Sequence, residues 1–487
     1  MRQFLRAVLE AVPAAVGEAR VRAERRAGHY DQAAALARAV IERAEPLGHA
    51  PLLADARYLL ALVLEEDGDY ATAEREMTEA LMLAQSAGHD ALVAEASTEL
   101  IYLTGSELHR PQDAERWVRH ARAAIDRLAD ASVAEAFLQS TLGNFYWSRS
   151  ELPAAREHFE RALADREQQL GSRHPATLVV RSNLAMVHHD LGDNSRALAL
   201  IERTLADRIE VFGPQHPDVA TTYGNLAVIE QVMGELEASA EHTRKALELL
   251  ELSVGREHPH YARLLMNLSN NAYYRGDLAQ ATRLQAESKE LLVAAVGPRD
   301  LLVGRALGNL GAFYYEDGRH ELARTALLEA REILEERLRP GHPELAGTIG
   351  NLAAIDRAMG RLSEALAGYD EAIGIIERAL GPEHSDLSWA LLGRSETLLE
   401  LQRIDDAVAD ARRALAVVVH AEVDPERVAS ARHQLGVALG RAGQLDEARQ
   451  QMQQARALVD RPAKDDDDLP AKIDAWLREH QTEPATR

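Results

Sequence analysis

Apolar residues recur along this chain at helical spacing. Between residues 365 and 380, Ala365, Leu366, Tyr369, Ala372, Ile373, Ile376 and Leu380 fall at i, i+1, i+4, i+7, i+8, i+11 and i+15, one stripe down one helix. In an earlier copy of the same pattern, Leu264 to Tyr274 reads as a first helix closed by Gly276-Asp277, with a second helix starting near Ala279. Small residues mark where the two helices of each pair cross: Ala155, Ala197, Ser239, Ala281, Ala323, Ala365 and Ala407. A bulky side chain there would push the pair apart.

The pair is repeated with a strict period. His174, His216, His258, His342 and His384 stand 42 residues apart, with Asp300 in the vacant place, and proline follows four of the five histidines. Asn183, Asn225, Asn267, Asn309 and Asn351 keep the same interval, each before a leucine, as do Gly192, Gly234, Gly276, Gly318 and Gly360. Columns in phase over this many copies mean stacked supersecondary units. Weaker copies extend the series through Gly28 with Ala33, Gly68 with Ala73, Ala114, and Gly443 with Ala448, so eleven units are expected. The expected division is a tail or helix over 1–14, irregular repeats over 15–168, regular repeats over 169–420, a last repeat over 421–461, and an acidic linker with a short capping helix over 462–487. In that last segment Asp465 to Asp468 reads as a solvated helix-start signal, and Ala471 to Arg478 as the helix. The fold expected is all-α, a right-handed superhelical solenoid.

Composition narrows the chemistry. The 487 residues carry 55 basic and 78 acidic side chains, a net charge of -23, which argues against a nucleic-acid partner because counterion release needs a basic face. There are no cysteines, which excludes disulfides and zinc–thiolate sites. No signal-peptide core and no run approaching ~18–20 apolar residues is present, so the expectation is a cytoplasmic protein without a membrane span. Only Lys245, Lys289, Lys464 and Lys472 are lysines; a GC-rich genome explains the excess of arginine more simply than function does.

Asn-Leu-Ala, followed seven residues later by Gly and five later by Ala, resembles the tetratricopeptide repeat. The 42-residue length and the Gly-x-x-His-Pro joint resemble its kinesin-light-chain subtype. Weak copies followed by strict ones also resemble the repeat region behind the catalytic domain of bacterial serine/threonine protein kinases, although no His-Arg-Asp or Asp-Phe-Gly of a kinase domain occurs. The resemblance implies a groove lined by the first helix of each pair, binding a peptide or protein as an interaction scaffold. It leaves two further readings open, the sensor or docking region of such a kinase and a sensor of short signalling peptides. The match is imperfect where Leu301 and Ser385 replace the helix-starting proline and Arg394 replaces a leucine, so the unit over 390–415 fits least well.

The resemblance makes the ladder asparagines candidates for bonding a bound peptide backbone, since an amide offers donor and acceptor together. They equally suit bonds to the neighbouring helix. One turn earlier the groove column reads Val179, Thr221, Arg263, Arg305, Gly347 and Trp389. Arg263 and Arg305 together suit the carboxylates of an acidic peptide, or pairing with groove acids such as Glu316. No catalytic, cofactor or metal residue is expected. The column histidines lie too far apart for one ion, and the prolines after them suit the first helical position. His188, His189 and Asp190 point in different directions on a helix. Gly304, Gly308 and Gly311 lie inside a helix and suit close packing better than a nucleotide loop.

Overall fold

The computed structural model describes residues 17, 19–25, 30–66, 68–108, 110–338, 341–421, 425–459 and 468–480, and every regular element among them is helical. The expected tail over 1–14 and the linker residues 462–467 lie outside the described residues. Contacts divide the chain into two compact units, Met1–Ser253 and Val254–Arg487.

In the first unit, helical residues 19–25 precede α1 (Tyr30–Ala44). Five antiparallel pairs follow: α2 (Ala50–Glu66) with α3 (Tyr70–Ser86), α4 (Asp90–Tyr102) with α5 (Pro111–Ile125), α6 (Ser132–Ser148) with α7 (Leu152–Leu170), α8 (Pro175–Asp190) with α9 (Asn194–Phe212), and α10 (Pro217–Val232) with α11 (Leu236–Ser253). The second unit has five more: α12 (Pro259–Tyr274) with α13 (Leu278–Val296), α14 (Leu301–Glu316) with α15 (His320–Arg337), α16 (Pro343–Ala358) with α17 (Leu362–Leu380), α18 (Leu387–Glu400) with α19 (Ile404–His420), and α20 (Pro425–Arg441) with α21 (Leu445–Leu458). The terminal helix α22 (Leu469–Glu479) is longer than the expected Ala471–Arg478; Ile473 is buried among Ala429, Met452 and Ala455, and Asp468 caps its first turn.

The crossing residues carry the packing. All eleven anchors, Ala33, Ala73, Ala114, Ala155, Ala197, Ser239, Ala281, Ala323, Ala365, Ala407 and Ala448, are at most 1% exposed. Ser239 fits because its hydroxyl donates to the Ala227 carbonyl at 2.7 Å, so no buried polar group is left unmade. Close packing also explains Gly304 and Gly311. A methyl on Gly311 would stand 2.6 Å from Leu327, and one on Gly304 3.0 Å from Ile333, while Gly308 has almost open space.

The histidine column caps the first helices. Nδ1 of His174, His216, His258, His342 and His384 accepts the backbone N–H two residues on at 3.1–3.2 Å, and the Asp300 carboxylate does the same at 2.8 Å. These N–H groups have no partner within the helix. The proline explains only half of the joint, and the ring before it supplies the acceptor. For this reason α12 begins at Pro259, well before the expected Leu264. Leu301 starts α14 without proline because Asp300 caps it, whereas with Ser385 in the proline place α18 begins only at Leu387.

The joint within each pair requires a left-handed residue. Gly192, Gly234, Gly276, Gly318 and Gly360 have φ between 71° and 84°. In the two flanking copies the same place holds Ser150 (φ 61°) and Gln402 (φ 59°), the two non-glycine residues with positive φ among the described residues. A side chain in this conformation costs about 1 kcal/mol or more.

Two arginines replace apolar side chains with charge networks. Arg181 in α8, wholly buried, donates to Asp207 at 2.6 Å and to the Ser172 carbonyl at 2.6 Å, and reaches Glu167 at 3.3 Å. Arg394, in the place of a leucine, bonds both carboxylate oxygens of Asp410 at 2.7 Å and also Asp370. The unit over 390–415 is therefore packed through an ion-paired staple joining α18 to α17 and α19. Among the described residues no helix is long and apolar enough to cross a membrane.

Replacing Gln402 or Ser150 by glycine should raise stability by about 1 kcal/mol each, read as an increased midpoint of urea unfolding. Arg181→Ala, which leaves Asp207 beside the core with only the exposed Arg173 as its partner, should lower it by about 2–3 kcal/mol in the same assay.

Candidate binding groove

Within each unit the first helices approach one another more closely than the second helices do, so they form the inner wall of the stack. Side-chain bonds cross that wall. Asn183 Nδ2 donates to Asn144 Oδ1 at 3.2 Å, Asn225 to Ser182 Oγ at 3.4 Å, and Asn309 to Asn270 Oδ1 at 3.4 Å. Each joins one first helix to the preceding one. These three asparagines are half-buried and tie the stack together, as the stabilising reading expects. Their carbonyl oxygens still have acceptor capacity. Asn267 is half-buried as well, and Asn351 is exposed. Asn183 and Asn225 belong to the first unit, and Asn267, Asn309 and Asn351 to the second.

The column one turn earlier is open to solvent at Val179, Arg263, Arg305 and Gly347. Arg305 in α14 binds Glu344 in α16 through two bonds, Nε to Oε1 at 2.7 Å and Nη2 to Oε2 at 2.9 Å. Its acid is thus Glu344 and not Glu316, and the bond to Glu344 holds its guanidinium above its ordinary value. Arg263 makes no such pair among the described residues. Burial in the wall, followed by the charge of Arg305, lowers its pKa. The same corner holds His258 and His260, with ring centroids 5.0 Å apart. Burial, then Arg263, then His258 lowers His260 to about 4, and burial, then Arg263 lowers His258. Burial and the neighbouring guanidinium thus disfavour the charged form of both histidines, whereas Arg305 is held charged by Glu344.

Trp389 is half-buried and its ring lies over α16, where a methyl on Gly350 would meet it at 2.0 Å. It is therefore chiefly a packing residue between successive first helices, with one edge left on the wall. The pairs 144–183, 270–309 and 305–344 all span 39 residues. That interval is one period less one helical turn, the stagger at which these neighbouring first helices face each other. Elsewhere, His188 is buried with Nδ1 3.6 Å from Asp193, whereas His189 bonds Asn194 Oδ1 at 2.9 Å. Among the described residues no three His, Cys, Asp or Glu side chains converge as metal ligands.

Sequence patterns of the tetratricopeptide repeat match residues 18–90, 132–210, 182–251, 218–292, 302–367, 344–418 and 428–458, most of the chain. The chain belongs to the tetratricopeptide-repeat family. No curated protein matches it in sequence. Among solved structures, the apo form of the quorum sensor NprR from B. thuringiensis is similar in fold, with 13% identity over 75% of this chain and 98% of that one at a TM-score of 0.53. BtubC (BKLC) from P. vanneervenii aligns at 23% identity over 52% of this chain and 93% of its own, with a TM-score of 0.38. A Podosopora anserina putative kinesin light chain with nearly identical TPR-like repeats aligns at 20% identity over 41% and 93%, with a TM-score of 0.34. The helix pairs within the matched segments are thus tetratricopeptide repeats, while the α4–α5 pair lies almost wholly between the first two of those segments.

Because the folded chain keeps His260 neutral to about pH 4 while an unfolded histidine binds its proton near ~6.5, the unfolded state holds more protons between those values. Stability due to His260 is complete above pH 6.5 and falls as the pH drops towards 4. In a His260→Gln variant the slope of unfolding free energy against pH over this window should be shallower, and NMR titration of the wild-type ring should give its midpoint well below 6.

Proposed function

We propose that this protein is an interaction scaffold whose inner wall in the second unit takes up a segment of a partner protein or a peptide, gripping an acidic group at Arg263. The observation that carries this reading is the guanidinium of Arg263, on a residue exposed at the wall and without an acid partner among the described residues, while its neighbour Arg305 is already held by Glu344. An unpaired cation on a wall of net-negative protein favours an incoming carboxylate, and a planar guanidinium meets it through two parallel bonds. Arg305 then acts as a fixed positive neighbour rather than a second grip. Asn267, Asn309 and Asn351 offer amides beside it for the partner's backbone, and the exposed edge of Trp389 offers apolar contact. In the first unit Asn183 and Asn225 present the same amides next to the exposed Val179, without a cation. Several amides spaced along neighbouring helices suit an extended chain, whose peptide groups recur every ~3.3 Å.

Partners captured from the source cell and identified by mass spectrometry supply the ligand for titration calorimetry. Arg263→Ala should weaken binding by roughly ten- to a hundredfold, the range for a lost charge-assisted bond, and raised salt should weaken the wild type in the same direction. Arg305→Ala should also weaken it, because the fixed positive neighbour is lost and Glu344 is left uncompensated on the same wall. Unchanged affinity in Arg263→Ala rejects the assignment.

A further inference from the structure

The regular joint between pairs, in which a second helix packs on the next first helix, fails once in the first unit. There α4 and α6, both first helices, pack directly on each other, and α5 barely touches α6. The cause lies at the end of α4, which continues as a π-helical turn over Leu103–Glu107. In that turn a methyl on Gly105 would stand 2.5 Å from the Phe145 ring of α6 and 2.9 Å from Ala114. Glycine thus draws the C-terminal ends of α4 and α6 together. At their other ends, Ala91 of α4 and Val133, Ala134 and Phe137 of α6 line a half-open cavity of about 360 Å³. This is within the ~300–1,000 Å³ of small-ligand sites.

The walls are mainly apolar, with Leu128, Val133, Phe137 and Leu170 prominent, and Arg166 of α7 lines the cavity among them. Arg166 has no ion pair or hydrogen bond among the described residues, and its Nε is buried without a partner. Burial is the one influence on its pKa, which it lowers; no acid lies near enough to offset it. Neither acid that lines the cavity pairs with Arg166. Asp130 accepts from the Ser132 backbone N–H at 3.0 Å and its hydroxyl at 2.7 Å, while Glu95, whose pKa is raised chiefly by burial, makes no ion pair with Arg166. Gln169 is committed to the Ser132 carbonyl at 3.0 Å. An uncompensated guanidinium against apolar walls is costly unless an anion completes it.

We propose that this cavity binds a small amphipathic carboxylate, its acid group on Arg166 and its apolar body, about the size of one aromatic side chain, against Val133, Phe137 and Leu170. Two sources present that chemistry, the C-terminal residue of a peptide and a free apolar acid. The site is separate from the Arg263 wall and does not depend on it.

Calorimetry on the full chain with 3-phenylpropionate and with acetyl-Gly-Gly-Phe, each beside its amide, tests the assignment. At least one acid should bind, its amide should bind at least ~10-fold more weakly, and Arg166→Met should weaken the acid by roughly ten- to a hundredfold. Because Arg166→Met removes an uncompensated charge, its melting temperature should not fall. The surface change Val133→Glu, at a residue 64% exposed, places a rival carboxylate at the mouth and should also block binding. Binding of the peptide acid alone identifies a chain terminus, and equal binding of 3-phenylpropionate identifies a free acid. Equal affinity for acid and amide, an unchanged affinity in Arg166→Met, or no saturation by either acid at millimolar concentration overturns the proposal.

Discussion

Two helices crossing with nothing larger than a methyl or hydroxymethyl group between them set the geometry of this protein. Eleven small residues of this kind, all sealed from solvent, line the second helices, and in the ten described pairs they bring each second helix down onto its first. Once the pair is closed, its remaining apolar face has no cover except the next pair, so stacking follows from the same contact. The left-handed joint and the capped first turn serve that crossing, because each fixes where a helix ends or begins. Where glycine is missing from the joint, at Ser150 and Gln402, the backbone still adopts the left-handed form. Tertiary packing of the pair outweighs the local preference of the residue.

Charge in this acidic chain ties helix to helix. Arg181, Arg305 and Arg394 each reach an acid on another helix, and their bonds replace apolar contacts or bridge successive repeats. Pairing of this kind consumes most of the binding capacity that a wall of arginines would otherwise have. A guanidinium left without an acid therefore stands apart, both on the inner wall at Arg263 and in the cavity at Arg166. One side chain type thus serves cohesion where it is paired and, in the proposed reading, recognition where it is not.

The repeat, the order of its helices, the crossing residues and the end of each pair were all legible in the sequence. Each is a property of one unit copied many times, so periodicity reports it directly. The prolines were read correctly as helix starts, but the histidines before them were not read as caps, because an imidazole acceptor is a less usual cap than Ser, Thr, Asp or Asn. Asp300 in the same column was the clue. The asparagine ladder lies on the first helices, and only the tertiary structure gives three of its members bonds to Asn144, Ser182 and Asn270 of the preceding first helix.

The sequence by itself determined that this protein is a stack of paired helices, since that depends on spacing and on residue size within one unit. Tertiary structure alone decided which arginine is neutralised. Arg263 and Arg305 occupy one column, yet only Arg305 meets an acid, because the side chain facing each comes from a different unit and its reach depends on rotamer and inter-helix distance. The cavity beside Arg166 likewise arises where a π-helical turn breaks the regular joint. A period describes what repeats, whereas both of these features depend on what does not.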